Sequence, residues 1–505
     1  MTDLNAVGTG SRGQDAFGGD WMQVLSWGNR ARVFGTIAFL ACLNFVLLKC
    51  DLLGDPDTYW HVAVGRWIVE NGRWPDVDVF SHTAAGQPWI AKEWFGQIAL
   101  YGAHRAAGWT GVALLGAVSF AASVAVLAAW LSRGLKGTAV CVVVMLAVLL
   151  ASNSVLARPH VVALPLMLIW TLGMLDAVAR KEPPHWLMLA VMLAWSNTHA
   201  GFSIGFVIAG LLALEAVRDA GDGRRFRLAA RWALFLGLAL VASCMTPYSY
   251  ESLLVTPKLL AGSGREGLAY IDEWRPIGFE LGGVIGMIML LALLGGLALQ
   301  PLRNLVHIAL VLMLGWMMIR HGRFGLVFAF TALPIAMSAI MAGPLARWIG
   351  PERSSPHRAS PTIALMLAAM ATISALALAS MVTISPGTTP AAAVDAAHKL
   401  GLTRLKVFNT YGFGGYLISK GVPTFIDGRT DQLFLDGFFD TYVRVSSVEG
   451  LAELGLYLER HDVGWALVQS DSGHERNLIS LGWRILHRDT VATVLAPPAG
   501  QPGAI

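Results

Sequence analysis

The chain has 505 residues, 55% of them hydrophobic and only 14% charged, with a formal net charge of +4. Soluble domains carry about 25% charged residues, so too few polar side chains are present to cover several globular cores. The composition therefore argues against a soluble enzyme, a nucleic-acid-binding module or a disordered scaffold. Apolar runs of about 18–20 residues recur, each able to cross a bilayer as a helix, and the expected architecture is a polytopic α-helical membrane protein.

Residues 1–30 form a polar, Gly-rich tail with no short apolar core ahead of a cleavage site, so the first apolar run, 31–50, reads as a retained anchor. Further spans are expected near 109–131, 137–153, 160–178, 185–198, 200–217, 230–246, 280–299, 303–319, 323–342 and 361–384, about eleven in all. The pair 185–198 and 200–217 is short and parted only by a polar kink. A cytoplasmic N-terminus makes every inner loop basic, from Arg30 and Arg32, through Arg133, Lys136, Arg180, Lys181 and the arginines at 218–231, to Arg303 and Arg347. The odd number of spans then sets the C-terminal region outside the cytoplasm. Basic loops of this kind also account for the net charge, which says little about partners other than the lipid bilayer.

Within the helical region, 31–384, two outer segments exceed ordinary connectors: 51–108 and 246–279. The first holds Trp60, Trp67, Trp74, Trp89 and Trp94, with Trp109 just beyond it. It predicts a helix over 57–71 ending at Gly72, and a second over 94–105 at the membrane surface. After Ser385 short strand patterns (VFN at 407–409, TFID at 424–427, WALV at 465–468, ATVLA at 492–496) alternate with helical ones (392–400, 433–444, 448–460), predicting a small α/β domain over 385–505. The four cysteines lie in or beside apolar runs, so this domain has neither a disulfide framework nor a thiolate metal site.

The sharpest chemical signal is GDPDTYWHVAVG, directly after the first span. Asp55 and Asp57 can share a divalent cation, or one can act as base while the other binds metal. Equally, Asp55 can cap a helix begun by Pro56, with Asp57 complementing its dipole. His61, one turn on, can face the same cavity or simply pack. Glu93 and Trp94 can bind a hydroxyl-rich ligand, or Glu93 can pair with Lys92. Three further polar clusters, Arg158-Pro159-His160, Trp195 to His199 (with Asn197) and Arg320-His321-Gly322-Arg323, fall on the same outer side. Guanidinium groups suit a lipid phosphate, although a single interfacial Arg also snorkels to headgroups. Glu273, before a span in AYIDEWRPIGFE, is a weaker candidate. No phosphate loop, zinc motif or dinucleotide fingerprint is present, and GFGG at 412–415 reads as a tight turn.

DPDTYWHVAVG at 55–65, EWF at 93–95, RPH at 158–160, WSNTHAGF at 195–202, YGFGGYL at 411–417 and IDGR at 426–429 together resemble a bacterial branch of the GT-C superfamily of integral membrane glycosyltransferases. The resemblance implies a GT-C-like helical domain with a periplasmic C-terminal domain, in the bacterial inner (cytoplasmic) membrane. It implies transfer of a sugar from a polyprenyl-phosphate donor to a glycan, lipid or protein acceptor. Asp57 or Asp55 would be the catalytic carboxylate, with Mg2+ or Mn2+ as the cation if one is bound. Arg158, His160, Arg320 and Arg323 would hold the donor phosphate, and His61, Glu93, Trp94, Asn197, His199 and Glu273 the substrates. YGFGGYL lacks the acidic residue of the WWDYG region of oligosaccharyltransferases. A transporter or flippase of a lipid-linked or anionic solute is the main rival, but no internal repeat is visible and the polar residues gather at one side. A non-catalytic envelope-polysaccharide assembly protein is the other.

Overall fold

The computed structural model describes residues 28–255, 275–299, 304–351, 361–380, 389–435 and 437–499. Most of the expected N-terminal tail and residues 256–274 of the second outer segment lie outside them. Helices occur at every expected span: α1 (Asn29–Lys49), α3 (Trp94–Leu131), α4 (Gly137–Ala151), α5 (Pro159–Arg180), α6 (Leu187–Thr198), α7 (Phe202–Arg218), α8 (Asp222–Cys244), α9 (Leu281–Ala298), α10 (Leu305–Arg320), α11 (Gly322–Met341) and α12 (Pro361–Ser380), with α2 (Asp57–Asn71) between the first two. Seven of them, α1, α3, α4 (with the turn after it), α5, α8, α9 and α11, are long and apolar enough to cross a membrane; α6 and α10 are apolar but shorter. Large apolar side chains also point outward from the bundle, among them Leu214, Val241, Leu291 and Trp316. A water-facing surface would not carry them, and lipid satisfies them. These are the features of a multi-pass membrane protein.

Two local devices shape the end of the bundle that matters here. Helix α2 stops at Gly72, whose φ of +63° gives the left-handed cap that a Cβ-bearing residue resists. Helix α3 is broken at Ala107 and Gly108 (φ +59°), so residues 94–106 and the part from Trp109 onward are two helices joined at a kink. That break is where the expected surface helix and the expected span meet.

The C-terminal unit carries a four-stranded sheet in the order β1-β2-β4-β3: β1 (Val407–Asn409), β2 (Trp465–Gln469), β3 (Arg484–Arg488) and β4 (Ala492–Ala496). Strands β1 and β2 run parallel, the other pairs antiparallel. Around it lie α13 (Ala391–Lys399), α14 (Gly414–Ser419), α15 (Phe438–Arg444), α16 (Leu451–Arg460) and α17 (Gly473–Ser480). Two expectations need correcting. TFID is not a sheet strand: Thr424 instead makes a single parallel bridge to Ser81 of the first outer segment. β3 was not expected, because an edge strand written Arg-Ile-Leu-His-Arg lacks the buried alternation that marks a strand.

The unit is locked onto segment 51–93. Arg429, completely buried, makes a two-pronged bond to Asp427 (Nε–Oδ1 2.8 Å, Nη2–Oδ2 2.7 Å) and a further ion pair with the buried Asp78, between the rings of Phe80 and Trp89. His82 Nε2 meets the Val407 carbonyl at 2.9 Å, and the Thr83 hydroxyl donates to the Phe425 carbonyl at 2.6 Å. Lys92, expected beside Glu93, pairs with Asp431. The aromatic core of the C-terminal unit is continuous with Trp60, Val64 and Trp89.

Candidate functional site

Asp55 Oδ1 accepts the Asp57 backbone N–H at 2.7 Å and so starts α2. The Asx turn places both carboxyls on one side. Opposite them, Pro159 holds Arg158 extended (φ −126°, ψ 162°), which throws its side chain clear of α5. The segment is tied down by the Ala157 N–H on the Leu52 carbonyl at 2.9 Å. The guanidinium therefore bridges the acid pair, with Nη1 2.8 Å from Asp55 Oδ2 and Nη2 2.9 Å from Asp57 Oδ2, all three side chains between 10 and 16% exposed. Charge-assisted bonds of this length in a partly desolvated site are strong.

The C-terminal unit closes over this bridge. A Cβ on Gly428 of the IDGR motif would collide with the Asp57 carboxylate, and one on Gly415 of YGFGGYL with the Pro56 carbonyl. The same Cβ would come within 2.9 Å of the Trp60 indole nitrogen, a buried N–H with no hydrogen-bond partner among the described residues.

Beside the bridge, Glu93 faces two histidines. Its Oε1 lies 3.4 Å from His199 Nε2 and its Oε2 3.9 Å from His61 Nε2. His199 Nδ1 accepts the Gly201 N–H (3.0 Å), and His61 Nδ1 faces the Gln97 amide (3.3 Å), so in both rings the Nε2 proton points at Glu93. Burial pushes both imidazoles well below the ordinary 6.5, and Arg158, Lys92 and His160 push the same way. Burial raises the Glu93 carboxyl above its ordinary value, against the pull of Lys92. His160 binds the Ser154 carbonyl at 3.0 Å, its ring 6.1 Å from that of His199. The Trp94 indole donates to Asn197 Oδ1 at 2.7 Å, and Asn197 in turn reaches the Met245 carbonyl at 3.2 Å, fixing three elements together.

Arg323 acts electrostatically on both Glu93 and His199 and so belongs to this cluster. Arg320, exposed at the end of α10, lies at the same end of the bundle but makes none of the contacts described for the acid pair. Glu273 lies outside the described residues. Sequence reasoning missed Gly428, Gly415 and Gln97 as parts of the site. The two glycines stood in quoted motifs, yet a glycine that admits a distant carboxylate looks like any turn glycine.

The acid pair does not fit a divalent cation in this arrangement. Asp55 gives one oxygen to a backbone N–H and the other to Arg158. Asp57 gives one to Arg158 and holds the other against Gly428, beside an N–H that repels a cation. Among the described residues no group of three His, Cys, Asp or Glu is placed to hold a metal. The groups with donors to offer, Arg158 and the Trp60 N–H, suit an anion.

No family model matches the chain, and no curated protein matches it. Among solved structures it is similar to the archaeal oligosaccharyltransferase AglB from Archaeoglobus fulgidus, in complex with an inhibitory peptide and a dolichol-phosphate. The two share 12% identity with a TM-score of 0.48, over 89% of this chain and 70% of that one.

Proposed function

We propose that this chain is a membrane glycosyltransferase, moving a sugar from a polyprenyl-phosphate donor to a cell-envelope acceptor at the periplasmic end of the bundle. The Asp55–Arg158–Asp57 bridge carries the reading. The donor phosphate competes for Arg158 and takes its Nη2 from Asp57, while Asp55 keeps Nη1 and holds the guanidinium in place. Asp57, released, accepts the proton of an acceptor hydroxyl, whose oxygen forms the new bond to the anomeric carbon as the anomeric carbon–phosphate oxygen bond breaks. The products are the glycoside, the polyprenyl phosphate and a protonated Asp57. Charge developing on the leaving phosphate is met by Arg158 and Arg323, and no step passes through a metal. Glu93, oriented by His61 and His199, faces sugar hydroxyls. Asp57 is the base, and Asp55 a positioning residue.

The test is mass spectrometry of envelope glycans and lipid-linked intermediates in a strain lacking the chain, complemented with wild type, Asp57→Asn or Asp55→Asn. One sugar missing from the glycan, with its lipid-linked donor accumulating, is the expected result, and Asp57→Asn restores neither. Normal glycans with both single variants and the double variant contradict the assignment and favour an assembly protein. Accumulation confined to the cytoplasmic leaflet favours a flippase.

A further inference from the structure

Helix α2 presents two stripes. Asp57, Trp60 and His61 face the acid site, whereas Tyr59, Val62, Ala63 and Arg66 line a separate cavity of about 260 Å³ between α2, the break in α3 and the end of α14. Its walls are aromatic. Tyr59 meets Trp109 and Tyr416 edge-on at 4.7 and 5.3 Å between ring centres, and Tyr101 completes the lining. Two exposed cations sit at its edge: Lys420, over the Tyr416 ring at 5.3 Å, and Arg66, whose nearest acid is the exposed Glu70 at 3.9 Å. Among the described residues no acidic side chain lines the cavity, and Asp395 acts on the Tyr416 phenol from beside Lys420.

We propose that this cavity binds one anionic sugar unit, such as a uronate, of the acceptor glycan. Aromatic faces suit the C–H faces of a pyranose, the Tyr101 and Tyr416 phenols its hydroxyls, and Arg66 and Lys420 its carboxylate. A lipid phosphate headgroup uses the cations and the phenolic donors but has no use for the ring faces. As an acceptor subsite it rests on the transferase reading and sharpens it. The cavity and Asp57 are on opposite sides of α2, about 10–12 Å apart by the width of a helix, so the acceptor is an oligosaccharide with an earlier unit held here.

The test is calorimetric titration of the full chain, in discs of zwitterionic lipid, with tetragalacturonate and with maltotetraose. Binding of the acidic tetrasaccharide alone is expected, weakened about tenfold by Lys420→Ala and again by Arg66→Ala. Both residues are exposed, so the variants fold. Equal binding of both sugars, binding indifferent to the double variant, no binding, or binding abolished by adding phosphatidylglycerol to the discs each overturns the proposal. If Asp57→Asn stops transfer while tetragalacturonate does not bind, the subsite fails and the transferase reading stands. If it binds as expected but envelope glycans never depend on Asp57, the transferase reading fails and the saccharide site stands.

Discussion

Among the residues, one guanidinium fork holds two carboxylates at 2.8 and 2.9 Å. Arg158 bridges Asp55 and Asp57 with its two prongs, so Arg158→Lys, which keeps the charge but loses the fork, is expected to lower transfer about a hundredfold or more while the protein stays inserted. Unchanged transfer in the variant, measured on purified protein, argues that the bridge is only structural. The histidines give a second residue-scale prediction. His61 and His199 are held neutral in the folded protein, below the ordinary 6.5 of the unfolded chain. Their contribution to stability is therefore complete above about pH 6.5 and is lost as the pH falls toward their depressed values, because the unfolded state then binds more protons. The thermal midpoint is expected to drop between about pH 7 and pH 5, and to drop less in His61→Gln/His199→Gln. An identical slope in the double variant contradicts it. The acid pair and Arg158 were legible as separate motifs because each breaks an apolar context. Their contact was not, since nothing local in either motif encodes the loop that brings Ala157 onto Leu52.

At the scale of elements, α2 is the part on which the site is built, and the sequence marks its ends plainly with Asp-Pro-Asp and Gly72. What it hides is that α14 and the IDGR turn are seated on it through glycines. Gly415→Ala sets a methyl against backbone, the Pro56 carbonyl, and is expected to destabilise by about 1–3 kcal/mol. Gly428→Ala meets two side chains and no backbone: the Asp57 carboxylate, which can rotate away, and the edge of the buried Trp60 indole, which must shift slightly. It is expected to cost less stability than Gly415→Ala but most of the transfer. Thermal melts alongside transfer assays separate the two, and a Gly428→Ala protein that works normally would remove Asp57 from the mechanism. The failed expectation of a strand at 424–427 has the same origin. TFID looks like a buried strand because it is buried, but against the first outer segment and around the Arg429 ion cluster, away from the sheet ladder.

At the scale of the whole molecule, the apolar bundle was the most legible part, because bilayer thickness alone dictates the length of an apolar run. The way the polar C-terminal unit is fastened was least legible. Arg429 gave no sign in sequence of being buried, yet it joins Asp427 to Asp78 across the two regions. Removing it leaves two buried carboxylates facing each other, so Arg429→Met is expected to cost about 3–5 kcal/mol. Protease protection of the C-terminal unit should fall with it. A variant as stable and protected as wild type shows that the clamp is dispensable. In the proposed mechanism Asp57 serves the chemistry while Arg158 serves the donor. It is tested most directly by measuring donor binding and sugar transfer on the same purified Asp57→Asn protein in bilayer discs supplied with its lipid-linked sugar. The account predicts that the donor binds at least as tightly as to wild type, with Arg158 freed from one competitor, while transfer falls about 10²–10⁴-fold. Transfer at the wild-type rate contradicts it.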